Sequence, residues 1–309
     1  MKGTAVKGLT RVVYYGNLRV VKRELTADLI LLSVGAIWGL NFVAMKYLLA
    51  VISPVNLILF RFLTGGSLLF ILLALTEDLK VSRKDLLYLS LLGIEGITVY
   101  QFFFTYSVKY TSVTNVSIII NTAPLYGGLL SALFGYERFR KTLFLAAGVG
   151  LLGTWMLITK GTFRLEGGET LGDLLSVASS LLWALYALLA KPLLARHSPL
   201  KVTAYSMAIG SAFLCPFLPF YFSIDEFVRL SPMGWAALGF AVLFSVVIAF
   251  FLWYKGISKV GPTRALIYQY SVPVFAVLFA CLLLGERFSV AQAAGALLVL
   301  ISIGLAHKG

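Results

Sequence analysis

Ten apolar runs, separated by short polar connections, divide almost the whole chain. They fall at 27–47, 55–75, 86–107, 113–134, 142–159, 172–191, 202–222, 234–254, 264–284 and 289–306. Each is about long enough to cross a hydrocarbon core of ~30 Å as a helix. The pattern predicts an all-α integral membrane protein of ten transmembrane helices. The pattern also repeats. Trp38-Gly39-Leu40-Asn41 and Lys46 return as Trp183-Ala184-Leu185-Tyr186 and Lys191, and Ser53-Pro54 returns as Ser198-Pro199, all 145 residues on. Pro124 and Glu137-Arg138-Phe139 return as Pro273 and Glu286-Arg287-Phe288, 149 residues on. Five spans per copy is an odd number, so the second copy must enter the bilayer from the opposite side. Two inverted five-helix repeats around a central cavity are the architecture of many secondary transporters. The expected organisation is a basic N-terminal segment at 1–26, a first repeat at 27–159, a connection at 160–171 and a second repeat at 172–306.

Within the spans, polar residues mark which helix faces look inward, because polar groups facing lipid are costly. Span one offers Trp38 and Asn41, and span three offers Glu95, Thr98, Gln101 and Thr105. Span four offers Thr114, Ser117, Asn121 and Ser131, span six Ser176, Ser179, Trp183 and Tyr186, and span nine Tyr268, Gln269, Tyr270 and Ser271. The expected substrate-binding residues are Trp38, Asn41, Glu95, Gln101, Asn121, Trp183, Tyr186, Tyr268, Gln269 and Tyr270. Glu95 is the sharpest of them, a mid-span acid suited to a cationic substrate group or a coupling proton. Its counterpart in the second copy is Phe244, so the cavity is expected to be chemically asymmetric. Pro124 and Pro273 each remove a backbone donor in mid-span, and are expected to bend their helices and serve gating. Glycines concentrate in spans five and ten (Gly148, Gly150, Gly153, Gly295 and Gly304), which read as close-packing elements. Arg61 lies within snorkelling reach of the extracellular-side boundary of span two and reads as an anchor, with anion binding as the alternative.

Composition sharpens the class. Sixty per cent of residues are hydrophobic, and the mean hydropathy of +0.92 excludes an ordinary soluble domain. The net charge of +13 could suggest nucleic acid, but its distribution follows topology instead. Six Lys/Arg precede span one, three lie in each of the connections 2–3, 4–5, 6–7 and 8–9, and one lies at the carboxy end. Six lie on the other side, and Arg61 is inside span two. By the positive-inside rule both termini are expected in the cytoplasm. Cys215 and Cys281 lie within apolar spans and suggest neither a disulfide framework nor a metal site. A retained first helix fits the N-terminal pattern better than a cleaved signal peptide. There is no phosphate-cradling loop, so transport driven by the chain's own nucleotide hydrolysis is not expected.

The stretches Ile37-Trp38-Gly39-Leu40-Asn41-Phe42, Leu59-Phe60-Arg61-Phe62, Tyr106-Ser107-Val108-Lys109-Tyr110-Thr111-Ser112, Gly135-Tyr136-Glu137-Arg138, Gly261-Pro262-Thr263-Arg264-Ala265 and Leu284-Gly285-Glu286-Arg287 occur in an order and duplication that resembles the drug/metabolite transporter superfamily. The match is to its EamA-type members with two tandem repeats, and it covers roughly residues 27–306. The resemblance implies a cavity walled mainly by spans one, three, four, six, eight and nine, and movement of a small metabolite, often export of amino acids or related compounds. The expected protein is a secondary transporter in the plasma membrane, not an enzyme and without a cofactor or metal. Its partners are a small-molecule substrate, the lipid bilayer and a coupling proton or counter-solute. Nucleic acid is not among them, and monomer and homodimer stay open. A lipid flippase or scramblase of the same fold is the alternative. An intramembrane lipid-modifying enzyme fits less well, because His197 and His307 lie outside the spans and no paired carboxylates face each other within them.

Overall fold

The computed structural model describes residues 3–111, 113–136, 140–161, 170–284 and 289–308. Ten helices in it are long and apolar enough to cross a membrane: α1 (Glu24–Met45), α2 (Pro54–Thr76), α3 (Arg83–Ser107), α4 (Asn115–Leu133), α5 (Lys141–Thr159), α6 (Thr170–Leu194), α7 (Pro199–Tyr221), α8 (Pro232–Val260), α9 (Pro262–Leu283) and α10 (Val290–His307). The helix that contains α1 starts as early as Gly3 and ends at Leu48. Leu29, Leu75, Leu133, Phe220 and Leu282 are exposed around the outside, the apolar belt of a multi-pass membrane protein.

Contacts between the repeats demonstrate the inversion. Ser53, at the start of α2, bonds Glu226 beyond the end of α7, while Ser198, at the start of α7, bonds Glu77 beyond the end of α2. The two helices therefore run antiparallel. So do α5 and α10, where Ser302 donates to the Ala146 carbonyl (2.6 Å) and Gln292 to that of Leu157 (3.3 Å). Midway along that pair, a Cβ on Gly153 would meet the Gly295 oxygen at 2.7 Å. Only hydrogen fits there, as the packing role of these two spans requires. Gly148 and Gly304 have open space instead. The starts of α1, α3, α5, α7 and α9 share one side of the molecule with the end of α10, here the terminal face; the opposite side is the far face.

Two irregularities recur in both repeats. Widened π turns occupy Ile94–Val99 in α3 and Ala241–Ile248 in α8, equivalent positions in which Glu95 corresponds to Phe244; Phe244 is exposed on the outside rather than lining the centre as expected. Such turns frequently mark functional sites. The second irregularity is a true break. The α4 helix stops at Ile120 and restarts at Ala123, and α9 stops at Tyr268 and restarts at Ser271. Pro124 lies in the first turn of the restarted helix, where its missing N–H is unneeded; Pro273 lies at the equivalent place. The expected bends are thus interruptions, the discontinuous helices that build sites in many carriers.

Candidate functional site

An aromatic cluster occupies the middle of the molecule where the repeats meet. Trp38 of α1 and Trp183 of α6, residues equivalent by repeat, contact each other edge to face with ring centroids 5.6 Å apart. Trp253 of α8 lies 5.6 Å from both. Phe250 closes on Trp38 at 5.6 Å, Tyr100 of α3 on Trp183 at 5.3 Å, and Tyr186 on Trp183 at 5.6 Å. Tyr254 follows Tyr186 at 5.2 Å. Two indoles are fixed by hydrogen bonds. Trp183 Nε1 donates to Gln269 Oε1 at the α9 break (2.7 Å), and Trp38 Nε1 donates to the Ser245 carbonyl in the α8 π turn (3.1 Å).

Buried polar atoms without a partner among the described residues gather around this cluster: both oxygens of Glu95, Trp253 Nε1, Asn41 Oδ1 and Arg61 Nε. Buried polar groups are almost always paired, so this concentration is what a site for a polar ligand requires. Tyr186 and Tyr254, whose rings pack 5.2 Å apart, add two more buried hydroxyls without a partner among the described residues, and Glu95 is within electrostatic reach of both. Arg61 lies on the other side of the rings. Its Nη2 donates to Ser245 Oγ (3.4 Å), Nη1 approaches Met45 Sδ (3.3 Å), and its guanidinium sits 5.7 Å from the Phe62 ring centre. Snorkelling is therefore corrected: Arg61 is only 8% exposed. It shares its helix stripe with Gly65, which lies against Val246 of α8, so it points into the protein.

The sequence-predicted residues separate into two groups. Trp38, Asn41, Glu95, Trp183, Tyr186 and Gln269 belong to the ring cluster and its rim. Tyr268 and Tyr270 do not, because the break at Gln269–Tyr270 redirects the side chains on either side of it. Tyr268 donates to Asp28 and lies 2.8 Å from His307 Nε2, near the terminal face. Tyr270 is fully buried against α5, where it donates to the Ala147 carbonyl (2.9 Å). Asn121 donates to the Ser117 carbonyl (2.8 Å) and finishes the first segment of α4. Gln101 is half-buried beside Tyr100 and makes no hydrogen bond among the described residues. Glu137, Glu286 and their neighbouring arginines lie outside the described residues. The residues missed are Tyr100, Ser245, Phe250, Trp253 and Tyr254. The spacing of Phe250, Trp253 and Tyr254 puts an aromatic stripe on one face of α8, a signal present in the sequence.

Each face carries contacts between the repeats. On the far face Glu226 Oε2 accepts from Ser53 N (2.8 Å), Ser53 Oγ (3.1 Å) and Asn56 Nδ2 (2.8 Å). Burial opposes ionisation there, but the Asn56 amide and the Ser53 donors hold the Glu226 carboxyl below the usual carboxylate range. On the terminal face Ser198 donates to Glu77 (2.6 Å) and Lys201 to Asp78 (3.1 Å); the Lys201 ammonium holds the exposed Asp78 carboxyl low. A separate groove of about 580 Å³ lies between α2 and α7, lined by Phe60, Leu63, Thr64, Leu218, Pro219 and Phe222.

Comparison with known proteins agrees with this architecture. The sequence pattern of the EamA-like transporter family matches residues 25–159 and again 170–307. The chain is 32% identical over 273 residues to an uncharacterized transporter of Archaeoglobus fulgidus, covering 87% of this chain and 93% of that one. A protein of Streptantibioticus cattleyicolor named "Probable terminal-alkyne amino-acid exporter" is 26% identical over 203 residues, 66% of this chain and 67% of that one. A crystal structure superposes with a TM-score of 0.76 at 23% identity, covering 92% of this chain and 96% of the other, and shares the fold. Two matching repeats, ten spans and relatives named as a transporter and an exporter place this chain in the EamA-like transporter family.

Proposed function

We propose that this protein carries a small, polar, amino-acid-like metabolite across the plasma membrane by alternating access, with export as the direction. The observation that carries the reading is the Trp38–Trp183 contact. Equivalent residues of two inverted repeats meet at 5.6 Å, amid buried polar atoms that lack protein partners. Rocking one repeat against the other would expose such a site to each face in turn. The basic residues of the even-to-odd connections support a cytoplasmic terminal face, and the exporter name of one relative supports the direction. Glu95 is the group through which a proton or counter-solute would couple. The flippase alternative calls for a polar groove open to lipid, whereas the groove between α2 and α7 is apolar except for Thr64.

The test is counterflow in proteoliposomes against amino acids, sugars, nucleosides and amines, with and without a pH gradient. At least one compound should exchange above empty vesicles, and Glu95→Gln should remove or re-tune that exchange while folded protein persists. Silence across the whole panel would overturn the carrier reading.

A further inference from the structure

Arg61 is a buried cation for which the protein supplies no opposite charge. It sits about two turns inside α2 and is shielded from solvent. It forms no ion pair among the described residues. Lys201 and Arg264 are also largely buried, yet each faces a carboxylate, at 3.1 Å from Asp78 and 3.4 Å from Glu24. A charge taken out of water is costly unless an opposite charge or good hydrogen bonds offset the loss. Hydrogen bonding is thin at Arg61 as well. A guanidinium carries five N–H donors. Here Nη2 makes a long contact to the Ser245 hydroxyl, Nη1 meets only the Met45 sulfur, and Nε–H has no partner among the described residues.

The neighbours of this guanidinium tie it to the ring cluster. Phe62, 5.7 Å away, covers it, and the Phe62 ring meets Phe250 at 6.2 Å. Phe250 in turn touches both Trp38 and Trp183. Ser245 makes a second link, because its hydroxyl accepts from Arg61 while its carbonyl accepts from the Trp38 indole. On α1, Met45 lies two turns beyond Trp38 on the same helix face. Asn41 falls between them, and its Oδ1 is buried without a partner. The cluster is thus bordered by a charged donor that lacks an acceptor and by an amide acceptor that lacks a donor.

We propose that Arg61 is the seat for an anionic oxygen group of the transported solute, a carboxylate in an amino-acid-like one. A planar guanidinium offers its donors as a fork that matches the two oxygens of a carboxylate, and Nε–H lies on an edge of that fork. An arriving carboxylate supplies the charge that the fold withholds, so a solute without one forfeits more than a single hydrogen bond. The seat fixes the charge a solute must carry and leaves its length and side chain open. It deepens the transport reading and rests on it.

The experiment uses the full chain in proteoliposomes. Counterflow of each amino acid is compared with that of its own carboxamide, beside sugars, nucleosides and amines. Every solute that exchanges should carry a carboxylate or another oxyanion, and the matching carboxamide should exchange at least about tenfold more slowly. Arg61→Gln should bring acid and carboxamide to similar rates, whereas a merely structural arginine would slow both by the same factor. The comparison on the unaltered chain decides the matter even if the variant fails to fold. Lowering chloride, with sucrose holding the osmolarity, should leave the exchange unchanged; an exchange that stops without chloride would give Arg61 to a free anion and overturn the proposal. A carboxamide, sugar, nucleoside or amine exchanging as fast as any acid would overturn it too and leave the carrier reading standing. No exchange of any solute would overturn both.

Discussion

On the far face, Ser53 and Asn56 bond Glu226, and Thr111 and Asn115 bond Asp173 at the start of α6 (2.8 and 3.3 Å). On the terminal face the repeat-equivalent positions are Ser198 and Lys201, which bond Glu77 and Asp78, and Arg264, which lies 4.0 Å from Asp28 at the start of α1. The backbone places matching contacts at both ends, yet their chemistry differs. Among the described residues every ion pair lies on the terminal face: Arg196 and His197 with Asp85, Lys201 with Asp78, Arg264 with Glu24 and Asp28, and His307 with Asp28. Among the described residues, the far-face acids Glu226 and Asp173 take their hydrogen bonds from amides and hydroxyls, and Arg229 acts on Glu226 through space without forming an ion pair. Inversion of the repeat thus fixes where the halves meet, and the side chains decide how each meeting responds to salt and pH. Ion pairs near water weaken as salt rises, with a screening length of about 8 Å at physiological ionic strength, whereas bonds to neutral donors are less affected.

The largest effect should come from breaking the region both faces share. A Cβ on Gly210 would lie 2.3 Å from the Gly93 oxygen, so Gly210→Val forces α3 and α7 apart. Overpacking of this kind costs about 1–3 kcal/mol, and thermal unfolding in detergent should drop equally at low and high salt. A drop confined to low salt would count against a common axis. Next is Asp85→Asn, which removes the negative charge facing Arg196 (2.6 Å) and His197 (3.0 Å). With Arg196 half-exposed, the loss should be about 1 kcal/mol and shrink as salt rises; a salt-independent loss would refute the distinction between faces.

The smallest effect is the matching change on the far face. Glu226→Gln should cost under about 1 kcal/mol at neutral pH, since an amide oxygen still accepts hydrogen bonds, and the loss should depend on salt less than that of Asp85→Asn, because only the through-space Arg229 charge is screened. The folded carboxyl is held below its ordinary value. It therefore adds stability above the unfolded value of about 4.3, and that contribution disappears as pH falls through the folded value. Wild type and variant should converge in acid, and unfolding midpoints measured from pH 7 to pH 3 test this. A gap unchanged at pH 3 would remove Glu226 from the account.

Much of this was readable before any coordinates. Long apolar runs fix the spans because no other regular structure of this length satisfies its backbone in lipid. The repeat marks Trp38 and Trp183 as equivalent mid-span residues, and the structure adds that they touch. What failed had local causes. Helical angle assigned Tyr268, Gln269 and Tyr270 to one wall, but the interrupted backbone sends the two tyrosines to different neighbours. Distance from the span end suggested that Arg61 reaches the boundary, although sharing a stripe with Gly65 already pointed it inward. The π turns gave no periodic signal, because a single widened turn disturbs the hydrophobic pattern by only one residue.

Three of the five tryptophans, Trp38, Trp183 and Trp253, form a mutually contacting trio. Rings this close couple in emission, so a solute docking at the proposed site should change the intrinsic fluorescence, which gives the proposal an optical readout free of attached dyes, with Trp155 and Trp235 as the remaining emitters.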